Sequence, residues 1–270
     1  MKKNYIRGIL VLLIALPMIF LSGCGKGDEK ADFEYIKDKG TLIVGLDDTF
    51  APMGFRDEND KLVGFDIDLA REVGKELGVE VKFEPIDWDG KEAELKSKNI
   101  DCIWNGMSAT PDRKKSMGLS KKYLENRILV TSLDPKINVK NVDELKNYKI
   151  GTQAGSAALE AIEKNEKYDT FKDNIKEYDT YDAAILDMKA GRVDVVAIDE
   201  VYAIYNTAKK DKLYTSDFNF GADYYAVGFR KEDKETVKKF NKALKKVIDS
   251  GKAGEVSTKW FGKDMVVFED

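Results

Sequence analysis

One stretch gathers groups that could grip a small charged molecule: Trp104-Asn105-Gly106-Met107-Ser108-Ala109-Thr110-Pro111-Asp112-Arg113. It follows a short apolar run, Ile100 to Trp104, that reads as a buried strand. A strand emptying into Asn-Gly-x-Ser leaves backbone donors and a hydroxyl at the carboxyl edge of a sheet, where open α/β sheets bind ligands. Thr110, Pro111 and Asp112 spell a helix start: a capping hydroxyl, a proline at the first position, an acid in the first turn. Arg113 then lies one turn in, able to point back over the strand end. A guanidinium fork beside a hydroxyl and free amides is a receptor for a carboxylate. The competing reading is an N-capped helix whose arginine is merely solvated.

Composition narrows the chemistry further. The 270 residues contain no histidine, which excludes histidine-based triads, general bases and metal ligands. No metal or cofactor site is expected. A hydrophobic content of 43% is enough for one large or two modest domains.

The elements that must position the stretch alternate in type. Thr41 to Leu46 reads as a buried strand ending in Asp47-Asp48-Thr49-Phe50-Ala51-Pro52, again polar and aromatic groups where a strand runs out. Asp60 and Gly64 bound a hairpin-like segment. Asp66 and Asp68 open a helix with Leu69, Ala70, Val73 and Leu77 on one face, stopped by Gly78. A strand over 79–86 precedes Trp88, and a short helix over 91–98 leads back to the Trp104 strand. Strand and helix in this rhythm predict a parallel sheet with helices on both faces.

After an extended segment from Arg127 to Leu133 and the Asp134-Pro135 break, the pattern restarts. A helical turn at 141–145 and a strand at 149–152 lead through Gln153-Ala154-Gly155-Ser156 into a helix near Ala157. A helix over 181–190 stops at Gly191, and the apolar strand Val193 to Ile198 delivers Asp199 and Glu200. A strand after Tyr224 through Phe229 precedes a long helix with Val237, Phe240, Leu244, Val247 and Ile248 at helical spacing. The fold class is therefore α/β, in two lobes joined by two strands near Arg127 and Tyr224, with a ligand cleft between them.

The start of the chain is different. Lys2, Lys3 and Arg7 precede an apolar run from Ile9 to Leu21, an export signal too short for a comfortable membrane span. Leu21-Ser22-Gly23-Cys24 resembles a lipobox, which implies lipid (palmitate) on the Cys24 sulfur, removal of residues 1–23, and a small polar tether over 24–32. Removing the signal leaves 42 basic against 49 acidic residues, net −7. That balance argues against nucleic acid as a partner. The other cysteine, Cys102, reads as a small buried hydrophobe.

The motifs Val44-Gly45-Leu46-Asp47-Asp48-Thr49-Phe50-Ala51-Pro52, Gly64-Phe65-Asp66-Ile67-Asp68-Leu69, Asn105 to Arg113, Gly191-Arg192-Val193-Asp194 with Asp199, and Lys259-Trp260-Phe261-Gly262 together resemble the polar amino-acid solute-binding proteins of ABC importers. The resemblance runs from Phe33 to about Gly262. It implies the periplasmic-binding-protein type II fold, each lobe a mostly parallel sheet flanked by helices, with 33–126 and 225–270 forming lobe I and 127–224 lobe II. By the same resemblance, Arg113 takes a ligand α-carboxylate, assisted by Ser108 and by the amides of Ser156 and Ala157. Gly106 and Asp199 take the α-ammonium. Phe50 and Trp88 sandwich the side chain, whose far end meets Asp47 and Gln153. Asn105 replaces a smaller residue and leaves side-chain specificity open.

The reading is a monomeric, lipid-anchored capture protein outside the cytoplasm. It would pass a free polar L-amino acid, arginine-, lysine- or glutamine-like, to an ABC permease and its ATPase subunit, without catalysis. Cystine or cysteine is the alternative ligand. A rival class is a cyclohexadienyl dehydratase-like enzyme of the same fold, for which Asp199 and Glu200 are the only obvious acid–base groups. A sensor ectodomain is a third, for which a second hydrophobic span is expected but not seen before Asp270.

Overall fold

The computed structural model describes residues 32–270. The signal, Cys24 and most of the tether lie outside them. Asp32, assigned above to the tether, instead opens helix α1 (Asp32–Lys39). The chain continues through β1 (Thr41–Leu46), the small strands β2 (Thr49–Phe50), β3 (Gly54–Arg56) and β4 (Leu62–Val63), α2 (Phe65–Leu77), β5 (Glu80–Pro85), α3 (Lys91–Lys96), β6 (Cys102–Ile103), α4 (Pro111–Ser116) and β7 (Met117–Leu119). There follow β8 (Lys122–Ser132), β9 (Ile150–Gln153), α5 (Ala157–Glu163), β10 (Ile175–Tyr178), α6 (Tyr181–Lys189), β11 (Val195–Asp199), α7 (Glu200–Lys209) and β12 (Tyr214–Tyr225). The last elements are β13 (Gly228–Arg230), α8 (Lys234–Asp249), α9 (Lys252–Phe261) and β14 (Val266–Glu269).

Two main sheets result, a five-stranded one ordered β5-β1-β6-β13-β7 and a six-stranded one ordered β10-β9-β11-β8-β12 with β14 on β8. Each is parallel over three strands, β5-β1-β6 and β10-β9-β11. The antiparallel neighbours are contributed by the segments that carry the chain between sheets: β8 against β11 and β12, and β13 against β6 and β7. The strand expected from Tyr224 through Phe229 is broken in two, because β12 belongs to one sheet and β13 to the other. β12 is the longer surprise, beginning already at Tyr214 and pairing with β8 through two register shifts.

Local sequence explains the element ends that shape the cleft. Thr110 caps α4, its hydroxyl accepting from the Arg113 N–H, with Pro111 at the first position. Ser156 caps α5 through the Leu159 N–H, and Thr180 caps α6 through that of Ala183. Gly78 ends α2 in the left-handed conformation. The apolar face of α8, centred on Phe240, Leu244 and Val247, is buried, as its spacing predicts. Asp32 fastens the start of the fold to α8: its carboxylate accepts from the Thr236 N–H and hydroxyl at 2.7 and 2.8 Å, and from the Glu235 N–H at 3.1 Å. A carboxylate on the first amides of a helix answers donors that have no partner within it. Among the described residues no helix is long and apolar enough to cross a membrane.

Candidate ligand-binding site

The strand ends of the two sheets face each other across a narrow cavity. Asp47, Phe50, Trp88, Asn105, Gly106, Ser108, Arg113, Gln153, Ser156, Ala157 and Asp199, every site residue singled out from sequence, line it together with Tyr181. Asp47 and Phe50 follow β1, Trp88 follows β5, and the Asn105–Ser108 loop follows β6. From the other side Gln153 ends β9, Ser156 and Ala157 start α5, and Asp199 ends β11. The walls touch elsewhere too: the Gln153 amide donates to Asp47 Oδ2 at 2.7 Å, and the Thr110 hydroxyl to Glu160 Oε2 at 2.9 Å.

Arg113 is 5% exposed, so it is not a solvated helix residue. Its guanidinium donates to the carbonyls of Ser108 and Gly155, both at 3.1 Å, and its nearest carboxylate, Glu160, is 4.0 Å away. Carbonyls orient the fork, and the stretched contact with Glu160 offsets its charge only weakly, so a buried positive charge lines the cavity wall. At the neighbouring helix start the Ser156 N–H donates to the Gln153 carbonyl at 3.3 Å, and its hydroxyl accepts from the Leu159 N–H at 3.1 Å. Gly106 has φ +57, and a Cβ there would lie 2.6 Å from the Phe50 ring and 3.1 Å from that of Tyr225. Only glycine lets the loop pass so close to the aromatic wall.

Two acids line the cavity without a cation on either. Asp47 accepts from the Thr49 N–H and hydroxyl and from Gln153, and burial raises its pKa against the pull of those bonds. Asp199 accepts from Asn126 at 2.7 Å, Tyr225 at 2.7 Å and Tyr181 at 3.0 Å. Burial and the nearby charge of Asp223 push it up to about 6. Asn105 is 1% exposed, and both ends of its amide lack a hydrogen-bond partner among the described residues. A buried amide left open on both sides is uncommon and points to something polar that meets it.

Several residues that build the site were not singled out from sequence. Asp66, read only as a helix opener, is fully buried and receives Trp104 Nε1 (3.1 Å), the Gly106 N–H (2.7 Å) and the Tyr123 hydroxyl (2.9 Å). It holds the loop at the end of β6 in shape, and burial pushes it up to about 7 despite three donors. Tyr181, the first residue of α6, reaches Asp199 and packs with Tyr202 on the Phe50 ring. Lys91 is 4% exposed and reaches across the cleft, donating to the Gly155 carbonyl at 2.8 Å and the Trp88 carbonyl at 3.0 Å. Burial, and then the charge of Arg113, lowers its pKa to about 8.

Residues 42–263 match the family model described as bacterial extracellular solute-binding proteins, family 3. The L-cystine-binding protein TcyJ of Escherichia coli (strain K12) is 32% identical over 85% of this chain and 86% of its own length. The arginine-binding extracellular protein ArtP of Bacillus subtilis (strain 168) is 30% identical over 93% of this chain and 97% of its own. Among solved structures, an ABC uptake transporter substrate-binding protein from Streptococcus pneumoniae with bound histidine superposes with a TM-score of 0.80 at 36% identity, covering 88% of this chain and 99% of that one. With matching fold, cleft and motifs, the chain belongs to the bacterial extracellular solute-binding proteins of family 3.

Proposed function

We propose that this protein captures a free L-α-amino acid with a cationic side chain, arginine- or lysine-like, and presents it to an ABC permease and its ATPase subunit. One observation carries the reading: the cavity is lined by one cation, Arg113, and two acids, Asp47 and Asp199, with no ion pair among the three. An α-carboxylate on Arg113 and an α-ammonium on Asp199 leave Asp47 over, and a positive side chain would complete the balance. Glutamine would meet Asp47 by hydrogen bonds alone. Cystine would bring a second ammonium for Asp47 but also a second carboxylate, and the nearest spare cation, Lys91, already serves two carbonyls. Ligand contacts with both lobes favour the closed arrangement, and that difference in contacts is what would drive closure.

The same proposal sets the hinge at residue 127 on the way out and 225 on the way back, with 33–126 and 225–270 as lobe I and 127–224 as lobe II. The anchor at Cys24, the outward-facing location and the monomeric state belong to the same proposal. No reaction is proposed. A carboxyl near 6 such as Asp199 suits acid–base chemistry, but its three donors and the ammonium role favour binding. Incubation with prephenate or arogenate would reveal product if the dehydratase reading were correct.

The test is thermal-shift screening against the common L-amino acids, since a ligand that binds only the native state raises its melting temperature. Arginine or lysine should give the largest shift. Asp47→Asn should cost a cationic ligand about 2 kcal/mol or more and glutamine less, reordering the panel. Equal loss for every ligand would show that Asp47 only holds its loop.

A further inference from the structure

The ammonium end of the cavity has a second acid that does not line it. Asp223, half-buried on β12, accepts from the Ser108 hydroxyl at 2.6 Å and from Asn126 Nδ2 at 3.0 Å. The same Asn126 nitrogen donates to Asp199 at 2.7 Å, so one neutral NH₂ group spans two carboxylates. Asn126 is held in that orientation by its own carbonyl oxygen, 3.5 Å from the Val201 N–H. It sits directly opposite Asp223 in the β8–β12 ladder. Among the described residues neither acid has an ion-pair partner, and the Tyr181 and Tyr225 phenols that complete Asp199 are neutral donors. Two carboxylates joined through one amide repel each other unless a cation lies between or beside them.

Building on the amino-acid reading above, we propose that Asp223 is a positioning residue that makes the α-ammonium site a two-carboxylate site. It fixes the Ser108 hydroxyl and the Asn126 amide by direct bonds. Its negative charge adds to that of Asp199, so the site rewards a full positive charge over a neutral amine. Because Asp223 and Asn126 are paired on the two strands that join the lobes, the ligand's ammonium is sensed at the hinge itself. The Ser108 loop is tied to the same place: Ala109 N–H donates to the Tyr224 carbonyl at 2.7 Å, and Ala226 N–H to that of Met107 at 2.8 Å.

The expected signature is a pH profile. Asp199 has a raised pKa, about 6, and an ammonium ligand favours its ionised form. Affinity is therefore present above pH 6 and lost as pH falls through it. Removing the Asp223 charge should move that limb to lower pH. Other charges facing the pair are Arg113 and the Arg127–Glu200 ion pair. Lys114, Lys122, Glu160 and Lys164 line the groove outside Asp223, and Glu125, Lys209 and Lys263 the one behind it. None of these changes between wild type and Asp223→Asn, so the comparison isolates the pair.

The experiment combines a carboxyl-carbon NMR titration of Asp199 in the unliganded protein with calorimetry from about pH 5 to pH 8. Its probe is L-arginine, or the strongest binder of the panel if that is another amino acid. Asp223→Asn, which keeps the acceptor oxygen, should bind about tenfold more weakly at pH 7. Its acid limb and the Asp199 titration should both move down. Combining it with Ser108→Ala should add less than the sum of the two losses. An Asp199 titration and an affinity profile identical to wild type would overturn the role of Asp223 alone. A wild type that binds no amino acid would instead remove the ammonium role together with the amino-acid reading.

Discussion

A guanidinium 5% exposed whose one carboxylate contact, Glu160, is stretched to 4.0 Å still has charge to offer a ligand carboxylate in the cavity it lines. Arg113→Ala should therefore abolish ligand binding while the fold persists, at a cost of about 2–5 kcal/mol, on the order of tens- to thousands-fold in affinity. Calorimetry would check it, and wild-type affinity in the variant would refute the carboxylate role. The reason Arg113 could be read from sequence is that its neighbours announce its placement: Thr110 and Pro111 fix where the helix starts, and helix geometry fixes where residue 113 points. Asp66 and Asp223 had no such announcement. Asp66 looked like any first-turn acid, and only folding shows that three donors from distant segments converge on it. Asp223 follows Gly221 and Ala222 with no neighbouring motif to mark it, and only its pairing with β8 sets it opposite Asn126.

At the scale of elements, α3 contributes more than packing. Its first residue, Lys91, crosses from one lobe to the Gly155 turn of the other and lies 5.0 Å over the Trp88 ring. Gly155 has φ +62, and a Cβ there would fall 2.7 Å from Asp89 and 3.2 Å from Lys91 Nζ, so the approach itself requires glycine. Lys91→Met keeps the apolar stem against Trp88 and removes the donors. Ligand release should become several-fold faster with little change in association, read by stopped-flow fluorescence. An unchanged or slower release would mean that desolvating the ammonium outweighs its carbonyl bonds. The helix starts at Thr110, Ser156 and Thr180 were legible or nearly so because caps are local. The first half of β12 was not, since polar Thr215, Ser216 and Asp217 precede the short Phe218-Asn219-Phe220 alternation and two register shifts interrupt the ladder.

For the whole molecule, two α/β halves were legible because the strand–helix rhythm restarts after Pro135. Which sheet each returning strand joins was not, because β13 inserts between β6 and β7 and β14 returns to β8 across long sequence separations. The proposed attachment of the whole to its surroundings turns on Cys24. Cys24→Ala should move the protein from the membrane fraction to the medium or periplasm and leave the ligand-induced melting shift unchanged. Palmitate labelling of the variant would refute the anchor. Where the chain enters the fold then has a mechanical meaning. Asp32 is bonded to Thr236 and Glu235 at the first turn of α8, which packs on α1, α2 and α9 beside the five-stranded sheet. If Cys24 carries the proposed anchor, a tug on it would be borne by that side of the molecule, as a mooring line is borne by a hull. On the two-lobe reading proposed above, the six-stranded sheet would then be the side left to move against the anchored one.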